Sequence, residues 1–242
     1  GNDEIGLSDR AFKKLGLAEG TQAEVKHVPF LKSFEAIRRK MFGEPFKEQE
    51  MYDIIKDIVD GYYSPSHIAA FCSVCEGNSM NEDEIAFLTK AMVNTGNKIS
   101  WDYDIVVDKH CIGGIPGNRT TNVAIPIIAA AGLHIPKTSS RAITSPSGTA
   151  DTMEVFCNVN VSLDRMKEIV DQEYGCIVWG GSVDLSPSDD LIINTKKLLH
   201  IDSEGQMVAS ILSKKIAAGS THILIVIPVG PTAKVKTEKD YD

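Results

Sequence analysis

The 242-residue sequence has no apolar run long enough to cross a bilayer, for its longest nearly apolar stretch, Val123 to Leu133, is too short and carries a Pro and a Gly. It has no positive surplus: 25 Lys+Arg face 33 Asp+Glu, for a formal net charge of −8 at pH 7. That balance excludes general binding to nucleic acid or to an anionic membrane, both of which need excess Lys and Arg to offset phosphate charge. A small anionic substrate stays open, since a few placed cations and main-chain N–H groups can hold one at any net charge. The opening "GNDEIGLSDR" lacks the basic and apolar regions of a secretory signal. Cysteines are few and odd in number (Cys72, Cys75, Cys111, Cys157, Cys176), which argues against a disulfide framework and for reduced thiols in a cytoplasmic protein. Cys72 and Cys75 have the spacing of a redox or zinc half-site, but no second Cys or His pair follows at metal-ligand spacing. The other reading is two small buried residues on a helix.

What is present is an ordinary globular composition, 43% hydrophobic, in a length that allows one large domain or two small ones. The stretch before Pro29 reads as one helix and one strand with little core of its own, the end of a further domain. From Ser33 to Trp101 apolar residues recur at three- and four-residue spacings, as in Met51, Ile54, Ile55 and Ile58, and predict a bundle of short helices. Ser64 before Pro65, and Asn81 three residues before Glu84, read as helix starts, while Gly61, Gly77 and Gly96 read as stops. After Trp101 the pattern becomes strand, glycine loop, helix: "DIVVD" (104–108) leads through "KHCIGGIPGNRTT" into a helix from Thr121. The alternation recurs at "HIPKTSS", at "CIVWGG" and at "HILIVIPVG", the last the most convincing buried strand in the chain. The pattern is therefore α/β with a helical bundle before it, after an N-terminal remnant at 1–29.

Two loops carry candidate chemistry. Lys109 to Thr121 puts glycines, a Lys, a His and two Thr between a strand and a helix start, where outward N–H groups and the helix dipole suit a phosphate; a structural tight turn is the other reading. It is not a P-loop, because Gly113 and Gly114 do not fit that spacing. Lys137 to Asp151, "KTSSRAITSPSGTAD", gathers hydroxyls and an Arg after the next strand, as either phosphate donors or helix-capping residues. Asp189 and Asp190 read as a helix N-terminus or solvated loop, with Mg2+ as the other reading. His67, His134, His200 and His222 are dispersed and read as structural or surface residues, and Trp101 and Trp179 read as core.

The runs "DKHCIGGIPGNRTT", "IPKTSSRAITSPSGTADTMEV" and "GQMVASILSKKIAAGSTHILIVIPVG" resemble the thymidine and pyrimidine-nucleoside phosphorylases and their relatives the AMP phosphorylases. The helical segment from Ser33 resembles that family's helical domain, and "EIGLSDRAFKKLGLAEGTQAEV" resembles the end of the extra N-terminal domain of the AMP phosphorylase branch. The resemblance implies an α/β fold of the nucleoside phosphorylase/phosphoribosyltransferase type, with a small all-helical domain (30–101 and about 187–219), a larger α/β domain with a mostly parallel sheet (102–186 and 220–242) and a cleft between them, of which this chain is a fragment. It implies a pentosyltransferase that cleaves a pyrimidine nucleoside, or a nucleoside 5′-monophosphate such as AMP, with phosphate. Phosphate would be held by Lys109, Cys111, Thr121, Ser139 and Thr149, and the nucleoside by His110, Asn194, Ser210 and Lys214. His110 and Lys214 would carry the catalysis, and Arg141 with Asp151 would shape the second loop. No metal or cofactor is implied, inorganic phosphate being a substrate, and the expected partner is a second copy bound through the helical domain.

The sequence departs from the family pattern at Cys111, where Ser is usual, at Ser140, where Gly is usual, and at Pro146 and Ser147. Asn194 falls where a base-contacting Arg is usual; Asn can hydrogen-bond a base edge but carries no charge. Two other functions stay in view. An enzyme like anthranilate phosphoribosyltransferase shares the architecture but lacks the Lys-His pair in its first loop. A phosphate- or nucleotide-binding module without catalysis is suggested by Cys111 and Asn194.

Overall fold

The computed structural model describes residues 4–24, 30–77, 80–112, 119–141, 148–201, 203–233 and 235–237. The chain divides into two compact units, Gly1–Phe30 and Leu31–Asp242. In the first, helix α1 (Asp9–Leu15) starts at Ser8, whose hydroxyl accepts the Ala11 N–H at 3.3 Å, and ends at Gly16 in the left-handed region. Residues 21–24 form no strand, and 25–29, the rest of the strand expected there, lie outside the described residues.

The second unit begins with a bundle of α2 (Ser33–Met41), α3 (Glu48–Val59), α4 (Pro65–Gly77) and α5 (Glu82–Asn94). Met51, Ile54, Ile55 and Ile58 line one face of α3 and are buried with Ile37, Phe71, Leu88 and Met92. The helix starts follow side-chain chemistry. Asn81 Oδ1 accepts the Glu84 N–H and Glu84 Oε2 accepts the Asn81 N–H, both at 2.9 Å, closing a capping box. Ser64 and His67 make the same reciprocal pair, with imidazole Nδ1 in place of a carboxylate. Gly96 does more than stop a helix: a Cβ there would stand 2.3 Å from the Leu185 carbonyl oxygen, so only glycine allows this close approach.

The α/β part runs β1 (Val107–Cys111), α6 (Thr120–Ala130), β2 (Ile135–Ser139), α7 (Thr149–Glu154), α8 (Leu163–Glu173), β3 (Gly175–Trp179), α9 (Gly180–Val183), α10 (Pro187–Leu199), α11 (Glu204–Ala217) and β4 (His222–Val226). β1 pairs with β4 and β2 with β3, both parallel, and a parallel bridge between Val106 and His134 joins the two pairs. Because all strands run the same way, their C-terminal ends lie on one edge, where open α/β sheets hold ligands. α10 and α11 pack back onto the bundle, α11 on α5 and α10 on α3 and α4, with Ile192 and Ala209 inside its core.

Two sequence expectations are corrected. The strand placed at 104–108 sits three residues later, because the ladder with β4 takes up Val107–Cys111; Lys109, His110 and Cys111 are therefore strand residues and not loop residues. The strand "HILIVIPVG", the one that read most convincingly as buried, is largely exposed: among the described residues β4 pairs only with β1, and Leu224 is 56% exposed. Among the described residues no helix is long and apolar enough to cross a membrane.

Candidate functional site

Alternation along β1 decides which side of the sheet each residue serves. Lys109, 2% exposed, turns toward the start of α6, where its Nζ donates to Thr121 Oγ1 at 3.0 Å and reaches Thr120 Oγ1 at 3.4 Å. Burial lowers the Lys109 pKa from its ordinary value. Asp108 and His110 share the opposite side and meet α11: Lys215 Nζ stands 2.7 Å from Asp108 Oδ2 and donates to the Thr138 carbonyl of β2 at 3.3 Å. Lys137, also on β2, lies 3.8 Å from Asp108 Oδ1 and donates to the Thr138 carbonyl. Its pKa is pushed well down by burial and by Lys215, with Asp108 opposing.

On the helical side, Lys214 Nζ bonds Asp189 Oδ2 at 2.5 Å and Ser210 Oγ at 3.2 Å. Ser210 and Lys214 are four apart on α11, which puts them on one face. Asp189 and Asp190 occupy the first turn of α10, and the buried Asp189 is a lysine's partner. Among the described residues no group of His, Cys, Asp and Glu could hold a metal ion.

His110 lies among these cations. Burial first, then Lys215, Lys137, Lys214 and Lys109, push its pKa down to about 2. A ring held in its neutral form at pH 7 keeps one N–H, so it can donate a hydrogen bond to a departing base without giving up a proton.

Cys111 and Ser139 end the neighbouring strands β1 and β2, and Thr149 opens α7. Arg141 fastens this corner, pairing with Glu154 at 2.6 and 2.8 Å and with Asp151 at 3.1 Å, its guanidinium lying 4.9 Å from the Trp179 ring centroid. Asp151 Oδ2 accepts the Gly148 N–H at 2.8 Å. Gly113, Gly114, Pro146 and Ser147, singled out in the loops, lie outside the described residues.

The structure thus brings Lys109 to Thr121 and Lys214 to Ser210, with His110 among the lysines. Asn194 is exposed in the middle of α10, and among the described residues no hydrogen bond joins it to Lys214 or Ser210. The sequence did not single out Asp108, Lys137, Lys215 or Glu154, and it offered Asp189 as a helix start, a solvated loop or a Mg2+ ligand and not as a lysine's buried partner. A signal for two of them was there: Lys137 within an otherwise strand-like "HIPKTSS", and a second Lys beside Lys214 on a turn whose neighbours Ala217 and Ala218 are buried.

Residues 34–96 match the family described as "Glycosyl transferase family, helical bundle domain", and residues 103–239 match "Glycosyl transferase family, a/b domain". The chain belongs to this glycosyl transferase family. Similar curated relatives are each named "Putative thymidine phosphorylase": one from Hahella chejuensis is 50% identical over 98% of this chain and 47% of its own, and one from Legionella pneumophila (strain Paris) is 52% identical over 97% and 46%. The chain spans about half the length of the curated relatives it matches. Among solved structures, anthranilate phosphoribosyltransferase from Thermus thermophilus has the same fold, with a TM-score of 0.68 at 20% identity over 78% of this chain and 57% of that one. The fold alone is therefore shared with a protein named for a different reaction.

Proposed function

We propose that the protein is a pentosyltransferase that cleaves a pyrimidine nucleoside such as thymidine, or a nucleoside 5′-monophosphate such as AMP, by phosphorolysis. The observation that carries this reading is the pair Lys109–His110 at the end of β1, with hydroxyls at Thr121 on one side and Lys214 of α11 among the cations on the other. The chain's likeness to relatives named as thymidine phosphorylases supports it.

In this reading Lys109, Thr121, Ser139 and Thr149, with Cys111 beside them, hold the phosphate at the strand ends. A phosphate oxygen bonds to the anomeric carbon as the bond from that carbon to the base nitrogen breaks, its electron pair leaving with the base. Lys214, held by Asp189 and Ser210, and the neutral N–H of His110 stabilise charge growing on the base. Ser210 and Asn194 contact the nucleoside.

The test is a substrate panel on the full-length protein with phosphate and thymidine, uridine or AMP. Release of free base with a pentose 1-phosphate marks a nucleoside substrate, and ribose 1,5-bisphosphate marks a nucleotide. No release from any of them sinks the reading. Turnover of anthranilate with phosphoribosyl pyrophosphate would favour the phosphoribosyltransferase alternative, and phosphate binding by calorimetry without turnover a binding module.

The neutral His110 predicts a particular pH profile. An essential imidazolium would make kcat/KM fall above pH 6.5 as the ring lost its proton; a ring already neutral gives no such limb. The expected profile therefore shows no loss of rate through pH 6–8 that vanishes in His110→Gln. A descending limb near 6.5 that His110→Gln removes would refute the assignment.

A further inference from the structure

Resting on the phosphorolysis reading above, we propose that Asp108 is a positioning residue that fixes Lys214 relative to His110 by anchoring the neighbouring Lys215 to the sheet. The residues pair as neighbours on two elements: Lys214 and Lys215 are adjacent on α11, and Asp108 lies two residues before His110 on the same side of β1. Lys215 is 1% exposed and Asp108 is fully buried. Their contact at 2.7 Å, with the Lys215 bonds to the Thr138 carbonyl at 3.3 Å and Thr138 Oγ1 at 3.4 Å, ties the last turn of α11 to both β1 and β2. Lys214 points instead to Asp189 of α10. One helical turn therefore grips the sheet with one lysine and turns the other toward α10.

Asp108 does a second job. Its Oδ1 accepts the Lys109 N–H at 2.7 Å, so the same carboxylate holds the backbone of the lysine that faces α6. The charged groups around it are Lys215 from α11 and Lys137 from β2, with Cys176 of β3 feeling its charge. One buried carboxylate facing two buried lysines is a site where a lost charge is felt, because neither ammonium has water to turn to.

The experiment compares Asp108→Asn, Lys215→Met and the double variant in the full-length protein. Asn keeps an acceptor for the Lys109 N–H and removes the charge that holds Lys215. Each single variant is expected to lower kcat about 10²-fold, the scale of a misplaced reacting group, with a far smaller change in phosphate affinity read by calorimetry. If both act through one contact, the double variant loses no more than the worse single. Losses that multiply, or an unchanged kcat, overturn the proposal. Urea unfolding is followed alongside; should Asp108→Asn fail to fold, Lys215→Met alone is judged by the same split between kcat and phosphate affinity. A crystal structure of the variant tests the placement without any substrate: Lys214 is expected to leave Asp189, and its retention there overturns the proposal. A wild type without turnover on the whole panel would instead strike the functional reading, leaving that crystal structure to decide the placement.

Discussion

Replacing Lys109 by Met in the full-length protein is expected to lower kcat/KM for phosphorolysis about 10²–10³-fold while leaving the melting temperature unchanged or higher. The two directions have one cause. Lys109 is buried at the end of β1, and among the described residues its Nζ meets hydroxyls of Thr120 and Thr121 and no carboxylate within ion-pairing distance. A buried ammonium held only by neutral acceptors costs stability, and its lowered pKa is the same fact seen from the proton. The sign follows. Below the lowered folded-state pKa both folded and unfolded chains are protonated and the penalty is fully present; as pH rises through that value the folded chain sheds the proton first and stability recovers. At pH 7 a methionine of similar length removes the penalty along with the charge. If the ammonium is there to meet a phosphate, turnover should collapse in a protein at least as stable as the original. Thermal unfolding at pH 7 alongside the substrate assay measures both, and a variant that melts well below wild type would show that Lys109 is structural.

Much of the fold was legible because it rests on local chemistry. The three- and four-residue spacing of Met51, Ile54, Ile55 and Ile58 placed α3, and the Asn81–Glu84 box placed the start of α5, since both signals act within one or two turns. The β strands were harder. "DIVVD" is apolar enough to be a strand, yet the ladder with β4, more than a hundred residues away, moves β1 onto Lys109, His110 and Cys111. "HILIVIPVG" reads as buried from composition, but burial depends on what covers a strand, and among the described residues β4 has a strand neighbour only at β1. The same distinction divides the site. Ser210 and Lys214 could be paired from their spacing on one helix, and Lys109 with Thr121 from a strand that feeds a helix. Asp108, Lys137 and Lys215 meet only through the packing of α11 across two strands, and no spacing in the sequence records that. The lowered pKa of His110 depends on those same three elements, and no spacing in the sequence records that either.

The largest effect on stability is expected far from the lysines of the site, at Glu84. Lys40 of α2 is 3% exposed and Glu84 of α5 is 1% exposed, and the ammonium reaches both carboxylate oxygens at 2.8 and 2.9 Å. The same carboxylate accepts the Phe46 N–H at 2.8 Å and the Asn81 N–H at 2.9 Å, so it holds the chain before α3, caps α5 and neutralises α2. Glu84→Ala removes all of these acceptor contacts and takes the carboxylate away from a buried ammonium, which costs about 3–5 kcal/mol. That is a large share of the roughly 5–15 kcal/mol that a typical domain has in total, and α5 also carries the packing of α11, so loss of the bundle would take Lys214 and Lys215 with it. Urea unfolding of Glu84→Ala checks the size, and a change below about 1 kcal/mol would show that the pair contributes nothing beyond its neighbours. The double variant Lys40→Met, Glu84→Leu separates charge from capping: it removes both charges together and should recover the ion-pair part of the loss, because an apolar pair of similar volume carries no desolvation cost. The part it cannot recover is that of the Phe46 and Asn81 N–H groups, which lose this acceptor once the carboxylate is gone.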